Sequence, residues 1–84
     1  MAAPPFASTS RLRWRCRRGM LELDVVLARY LEHRYPVAPL SEQQAFECLL
    51  ELQDPQLLAF VMGWDVPHDP DLKHVVARLT RPDP

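Results

Sequence analysis

The sequence predicts an all-α protein, a compact bundle of five short helices. Three observations carry that reading. Apolar residues recur at three- and four-residue steps, with no convincing strand-like alternation. Prolines and glycines fall between the periodic stretches, at Gly19, Pro36, Pro39, Pro55, Gly63 and Pro70, so each helix is short. A chain of 84 residues with 48% apolar side chains supports one small core and no second domain.

The elements follow in order. Residues 1–9, MAAPPFAST, offer little to pack and read as a flexible tail ahead of a single helical domain at 10–81. A first helix is expected over 10–18, capped by Thr9 or Ser10 and ended by Gly19 in a left-handed conformation. A second covers 20–34 and buries a stripe of Leu23, Val26, Leu27, Tyr30 and Leu31; Pro36 and Pro39 break the chain after it. Ser41-Glu42-Gln43-Gln44 reads as a capping box opening a third helix, which runs to about residue 52 and buries Phe46, Leu49 and Leu50. Asp54-Pro55 opens the fourth, with aspartate as cap and proline at the first helical position, and Gly63 ends it. Phe60 and Trp64, with Leu57, Leu58 and Val61, are assigned to the core. Asp69-Pro70 repeats the start device for a fifth helix, whose inner stripe is Leu72, Val75, Val76 and Leu79. No internal repeat at a solenoid period is present.

The net charge of −1 conceals a strong asymmetry. Residues 1–21 hold five arginines and no acid, whereas 35–72 hold seven acids and no lysine or arginine. Such a molecule has a positive end and a negative flank, and its field orients a partner. The start is arginine-rich and free of acids, in the manner of a mitochondrial presequence. Removing it would strip Arg17 and Arg18 from a tiny domain, so it is read as part of the protein. No apolar run approaches a membrane span.

Signals for chemistry are sparse. Cys16 and Cys48 lie far apart and outside any CxxC spacing, which fits a reducing compartment. Cys16 sits among arginines that lower a thiol pKa, but no histidine is near it in sequence, and a buried structural thiol explains it equally well. His33, His68 and His74 lack zinc spacing, so no metal site is expected. Two glycines exclude a glycine-rich phosphate loop. Glu22 and Asp24, two apart on a helix, point to different sides and form no acid–base pair. No catalytic residue is expected. Arg11, Arg13, Arg15, Arg17 and Arg18 with Trp14 raise the question of nucleic acid, but the rest of the surface is acidic and the pI is about 6.3. A small nucleic-acid-binding or antitoxin-like regulatory module is the alternative those arginines leave open.

One stretch, RRGMLELD at 17–24, decides between readings. A structural account covers each residue type: Gly19 as a hinge, Glu22 favouring the positive start of the second helix, the arginines solvated. It leaves the crowding of arginines at one junction unexplained. WRCRRGMLELD resembles the signature of the succinate dehydrogenase assembly factors, called SdhE in bacteria. Their RGxxE motif falls on Arg18, Gly19 and Glu22, and Trp14, Cys16, Arg17, Met20, Leu23 and Asp24 match its usual context. DPQLLAFVMG is similar to the family's acidic-Pro-x-Leu segment, with Phe60 where a tryptophan is usual. The resemblance covers about residues 11–80.

What the resemblance implies is a five-helix binding protein and not an enzyme. Its partner is the flavoprotein subunit of succinate dehydrogenase, with fumarate reductase as a second client, and it promotes covalent FAD attachment there. FAD belongs to the client, and no cofactor is held tightly by the helper. The partner-binding residues expected are Arg17, Arg18, Gly19, Glu22 and Asp24, with Glu22 bracing Arg18 or pairing with a client base. The free protein is expected to be a monomer that binds no nucleic acid and inserts in no membrane. It would work in the bacterial cytoplasm, or in the mitochondrial matrix if eukaryotic.

Overall fold

The computed structural model describes residues 11–80. They form helices joined by turns, with no strand among the described residues. Residues 11–15 are helical and are called α1; α2 is Leu21–His33, α3 Leu40–Leu49, α4 Asp54–Met62 and α5 Pro70–Thr80. A 3-10 turn, Tyr35–Val37, links α2 to α3. The expected tail and the Thr9 or Ser10 cap lie outside the described residues.

One core holds the helices together. Leu23, Leu27, Phe46, Leu49, Leu57 and Val75 are completely buried, one or two from each of α2 to α5. Leu12 and Cys16 bring the α1 arm onto the same cluster. α5 lies against α2, α3 and α4, and its Val75, Val76 and Leu79 are the buried residues of the predicted stripe. The Phe46 ring meets Tyr30 at 4.5 Å and Tyr35 at 5.7 Å, both tilted, so the 3-10 turn is pinned to the core by aromatic contact.

The helix ends depart from expectation in instructive ways. α1 stops at residue 15, three short of the prediction, and residues 16–18 lead irregularly into Gly19. Gly19 does adopt the left-handed conformation, φ +81°, but as the pivot of that corner, not as a cap at the helix end. α3 opens two residues early, at Leu40, with Pro39 as its N-cap residue in place of Ser41 and no side-chain cap bond. The predicted capping box is therefore absent. Ser41 lies inside the first turn, and Glu42 is turned into the protein. Asp54 is likewise the first residue of α4 and not its cap, because its carboxylate is engaged by Arg18.

Two devices work as predicted. Gly63 closes α4 at φ +80°, and the Trp64 amide bonds back to the Ala59 carbonyl at 2.8 Å. Asp69 Oδ1 accepts the amides of Asp71 and Leu72 at the start of α5. The turn at Gly63 corrects one core assignment: it carries Trp64 off the inner face of α4, leaving the indole 70% exposed. Leu57 and Phe60 are buried as expected, with Leu58 and Val61 packed at the edge of the core.

Candidate functional site

The predicted site residues converge on the corner between α1 and α2, where they divide into two groups. Arg18 and Asp24 build the corner. The Arg18 guanidinium turns back into the protein, its side chain 15% exposed. Nε donates to the Arg15 carbonyl at 2.9 Å, Nη1 to the Leu52 carbonyl at 3.2 Å and Asp54 Oδ1 at 3.1 Å, and Nη2 to the Leu50 carbonyl. Leu50 and Leu52 lie just past the end of α3, where backbone carbonyls have no helical partner and a cation is favoured. Arg18 thus clasps the corner to the α3–α4 turn. Its brace is Asp54, not Glu22.

Asp24 works from the other side. Its two oxygens accept the backbone amides of Arg18 at 2.8 Å and Gly19 at 3.1 Å. This fixes the turn at the point where the glycine needs positive φ. The Asp24 amide itself enters α2 by donating to the Met20 carbonyl at 2.8 Å.

Arg17, Gly19 and Glu22 face outward. Glu22 is exposed and makes no hydrogen bond or ion pair among the described residues. Arg17 is exposed, with its guanidinium 5.5 Å from the centre of the Trp14 ring, a cation–π contact, and it has no carboxylate partner among the described residues. A Cβ built on Gly19 meets nothing within 4 Å, so the turn is open to solvent. Beside it lies a groove of about 550 Å³ lined by Arg13, Cys16, Arg17, Gly19, Asp24, Val25 and Ala28.

Cys16 is buried behind this surface. Burial pushes its thiol up to about 11, against the opposing pull of Arg18 and the other arginines. It is a structural thiol. Cys48 is exposed on α3. Among the described residues no cluster of three His, Cys, Asp or Glu side chains can hold a metal ion, and no helix is long and apolar enough to cross a membrane.

A second polar cluster escaped the sequence reading. Glu42 is 3% exposed, the only buried charged residue among those described. Tyr30 Oη donates to its Oε2 at 2.6 Å, Arg34 Nε donates there at 3.0 Å, and Arg34 Nη2 donates to Oε1 at 3.2 Å. His74 Nε2 lies 2.9 Å from Oε1. Burial alone would raise the carboxyl pKa, but the bonds from Arg34, Tyr30 and His74 win and bring it down to about 2. Burial and the bond to Glu42 push the Tyr30 phenol well above its usual range. The one available signal was Arg34, eight residues before Glu42 across a proline-marked turn; the reach of His74 is tertiary and has no local trace.

Comparison with known proteins finds relatives along most of the chain. The chain matches the Sdh5 profile, described as flavinator of succinate dehydrogenase, over residues 10–83. It is 52% identical over 69 residues to the FAD assembly factor SdhE of Methylococcus capsulatus, a match covering 82% of this chain and 83% of that one. It is 45% identical over 72 residues to the protein of that name from Colwellia psychrerythraea, covering 86% and 79%. The corresponding Coxiella burnetii protein is 36% identical over 75 residues, covering 89% and 90%.

Proposed function

The chain belongs to the Sdh5 family, the flavinators of succinate dehydrogenase, and from that membership we propose that it binds the flavoprotein subunit of succinate dehydrogenase and promotes covalent attachment of FAD to it. The observation that carries the site is the division of labour at the corner. Arg18 and Asp24 spend their polar atoms inside the chain, so the turn is built before any partner arrives. Arg17, the Gly19 backbone and Glu22 are left pointing outward from a backbone turn that is already held in place. A preformed surface loses little conformational entropy on docking.

The outward groups are a guanidinium, a carboxylate and a bare turn of backbone. Such groups recognise polypeptide through charge-assisted and main-chain hydrogen bonds. The bond between flavin and protein forms within the client, whose cofactor supplies the chemistry. The helper acts by binding the client conformation in which that bond forms, raising its population. The flavoprotein subunit of fumarate reductase, built for the same cofactor, is a second client. The helper itself carries no catalytic group, holds no FAD of its own, and meets its client as a monomer without nucleic acid. Its named relatives come from bacteria, which supports a bacterial cytoplasmic setting.

Co-expression with the flavoprotein subunit, in a host lacking its own assembly factor, tests this. Covalent flavin is read as fluorescence of the client band on a denaturing gel, and association by pull-down of the tagged helper. The parent chain restores the flavin signal. A client that remains unflavinylated beside well-folded helper, with no subunit retained in the pull-down, would sink the reading.

A further inference from the structure

We propose that the groove beside the corner receives an acidic segment of the client polypeptide that also carries an aliphatic side chain. The inference rests on the docking reading above and names what enters the site.

The groove has an apolar floor. Val25, half exposed, and Ala28 line it, and Leu21 continues the same row one turn earlier; the spacing of four and three puts them on one face of α2. That face is distinct from the one that buries Leu23, Leu27, Tyr30 and Leu31, so α2 is apolar on two sides and only one of them is covered. The rim is cationic. Arg13 and Arg17 line it, and the arm that bears them holds Arg11, Arg13, Arg15, Arg17 and Arg18 with no acid.

Part of that charge is spent within the chain, Arg15 on Glu51 and Arg18 on Asp54, and the rim arginines Arg13 and Arg17 supply what remains. Asp24, also lining the groove, has both oxygens committed to backbone amides. Arg13 meets Glu32 at 3.6 Å, but both side chains are more than half exposed, a pairing that a partner's carboxylate readily displaces. Arg17 has the Trp14 face and no acid. A segment with an aliphatic side chain against Val25 and Ala28 and a carboxylate on Arg17 satisfies floor and rim together.

The experiment measures affinity of the purified full-length chain for the flavoprotein subunit of succinate dehydrogenase lacking covalent flavin, by calorimetry at low and moderate salt. Val25→Glu places a carboxylate on the floor, Val25→Ser removes its apolar surface with little change of bulk, and Arg17→Glu reverses the rim. Each is expected to weaken binding at least about tenfold, with helicity and melting temperature kept; Arg17→Glu also flattens the salt dependence. Trp64→Ser, beyond the far end of α4, serves as the neutral control. If the Val25 variants bind like the parent, the floor is not a contact and the inference fails. If Arg17→Glu binds like the parent, the occupant is not acidic and it fails equally. Either result, with Glu22→Ala still abolishing binding, leaves the docking corner standing. Parental binding by Glu22→Ala and Gly19→Arg as well would remove the docking reading itself. Binding of a generic RNA oligonucleotide, lost in Arg17→Glu, with none to the subunit, would replace the polypeptide by a nucleic acid.

Discussion

Glu42 shows at the scale of one residue how a carboxylate lives in a small core. Three side chains from α2, its C-terminal cap and α5 hold it ionised. Its pKa falls from 4.5 to about 2 on folding, so its contribution to stability is complete above about pH 4.5 and is lost as pH falls toward 2. The shift corresponds to about 3 kcal/mol. Urea midpoints should therefore drop steeply between pH 5 and pH 2, and Glu42→Gln should flatten that profile while lowering stability at pH 7 by about 2 kcal/mol; parallel profiles for the two proteins would refute the assignment. Arg18→Ala should cost about 2 kcal/mol, since it strips charged donors from two carbonyls past the end of α3 and from Asp54. The thiols give a further check. A colorimetric thiol reagent should label exposed Cys48 in the native state and Cys16 only on unfolding. Of these residues only Cys16 was half-legible in the sequence. The arginines around it suggested a lowered pKa, but burial outweighs them.

At the scale of elements, the periodicity of apolar residues was enough to place every helix of the described chain within a few residues. Helix starts were harder. Gly63 and Asp69 behave as local chemistry dictates, because no distant group competes for them. Asp54 and the Ser41–Gln44 box carry equally good local signals and did not act as caps: Arg18 engages Asp54, and Tyr30, Arg34 and His74 draw the box's Glu42 inward. A start signal containing a carboxylate stays ambiguous whenever a buried cation needs that carboxylate more, and sequence does not show where the cation will lie. Two substitutions separate these cases. Asp69→Ala removes a working cap and should cost about 1 kcal/mol, read from chemical denaturation. Ser41→Ala, at a cap that did not form, should be neutral within about 0.5 kcal/mol. Gly63→Ala puts a Cβ at φ +80° and should cost about 1 kcal/mol, although the space around it is empty.

For the whole molecule the decisive property is the separation of charge from fold. The stripes that hold the bundle face one another, while the outward arginines gather on the arm and the corner. The motif was legible as a candidate site because its residue types are excessive for a simple turn. The split within it was not, since only the tertiary arrangement shows that Arg18 and Asp24 point home. Gly19→Arg and Glu22→Ala should both leave a helical domain by circular dichroism and abolish client flavinylation on the gel. The glycine variant bears about 1–2 kcal/mol of backbone strain, and its Cβ meets no atom of the chain, so the added bulk projects toward the visitor. Both tryptophans, Trp14 at 73% and Trp64 at 70%, stand in solvent. Indole emission is therefore a poor witness to unfolding and a good one to company. In a Trp64→Phe background the single tryptophan left lies against Arg17, a residue of the groove, where an arriving chain would shift its colour before any label was attached.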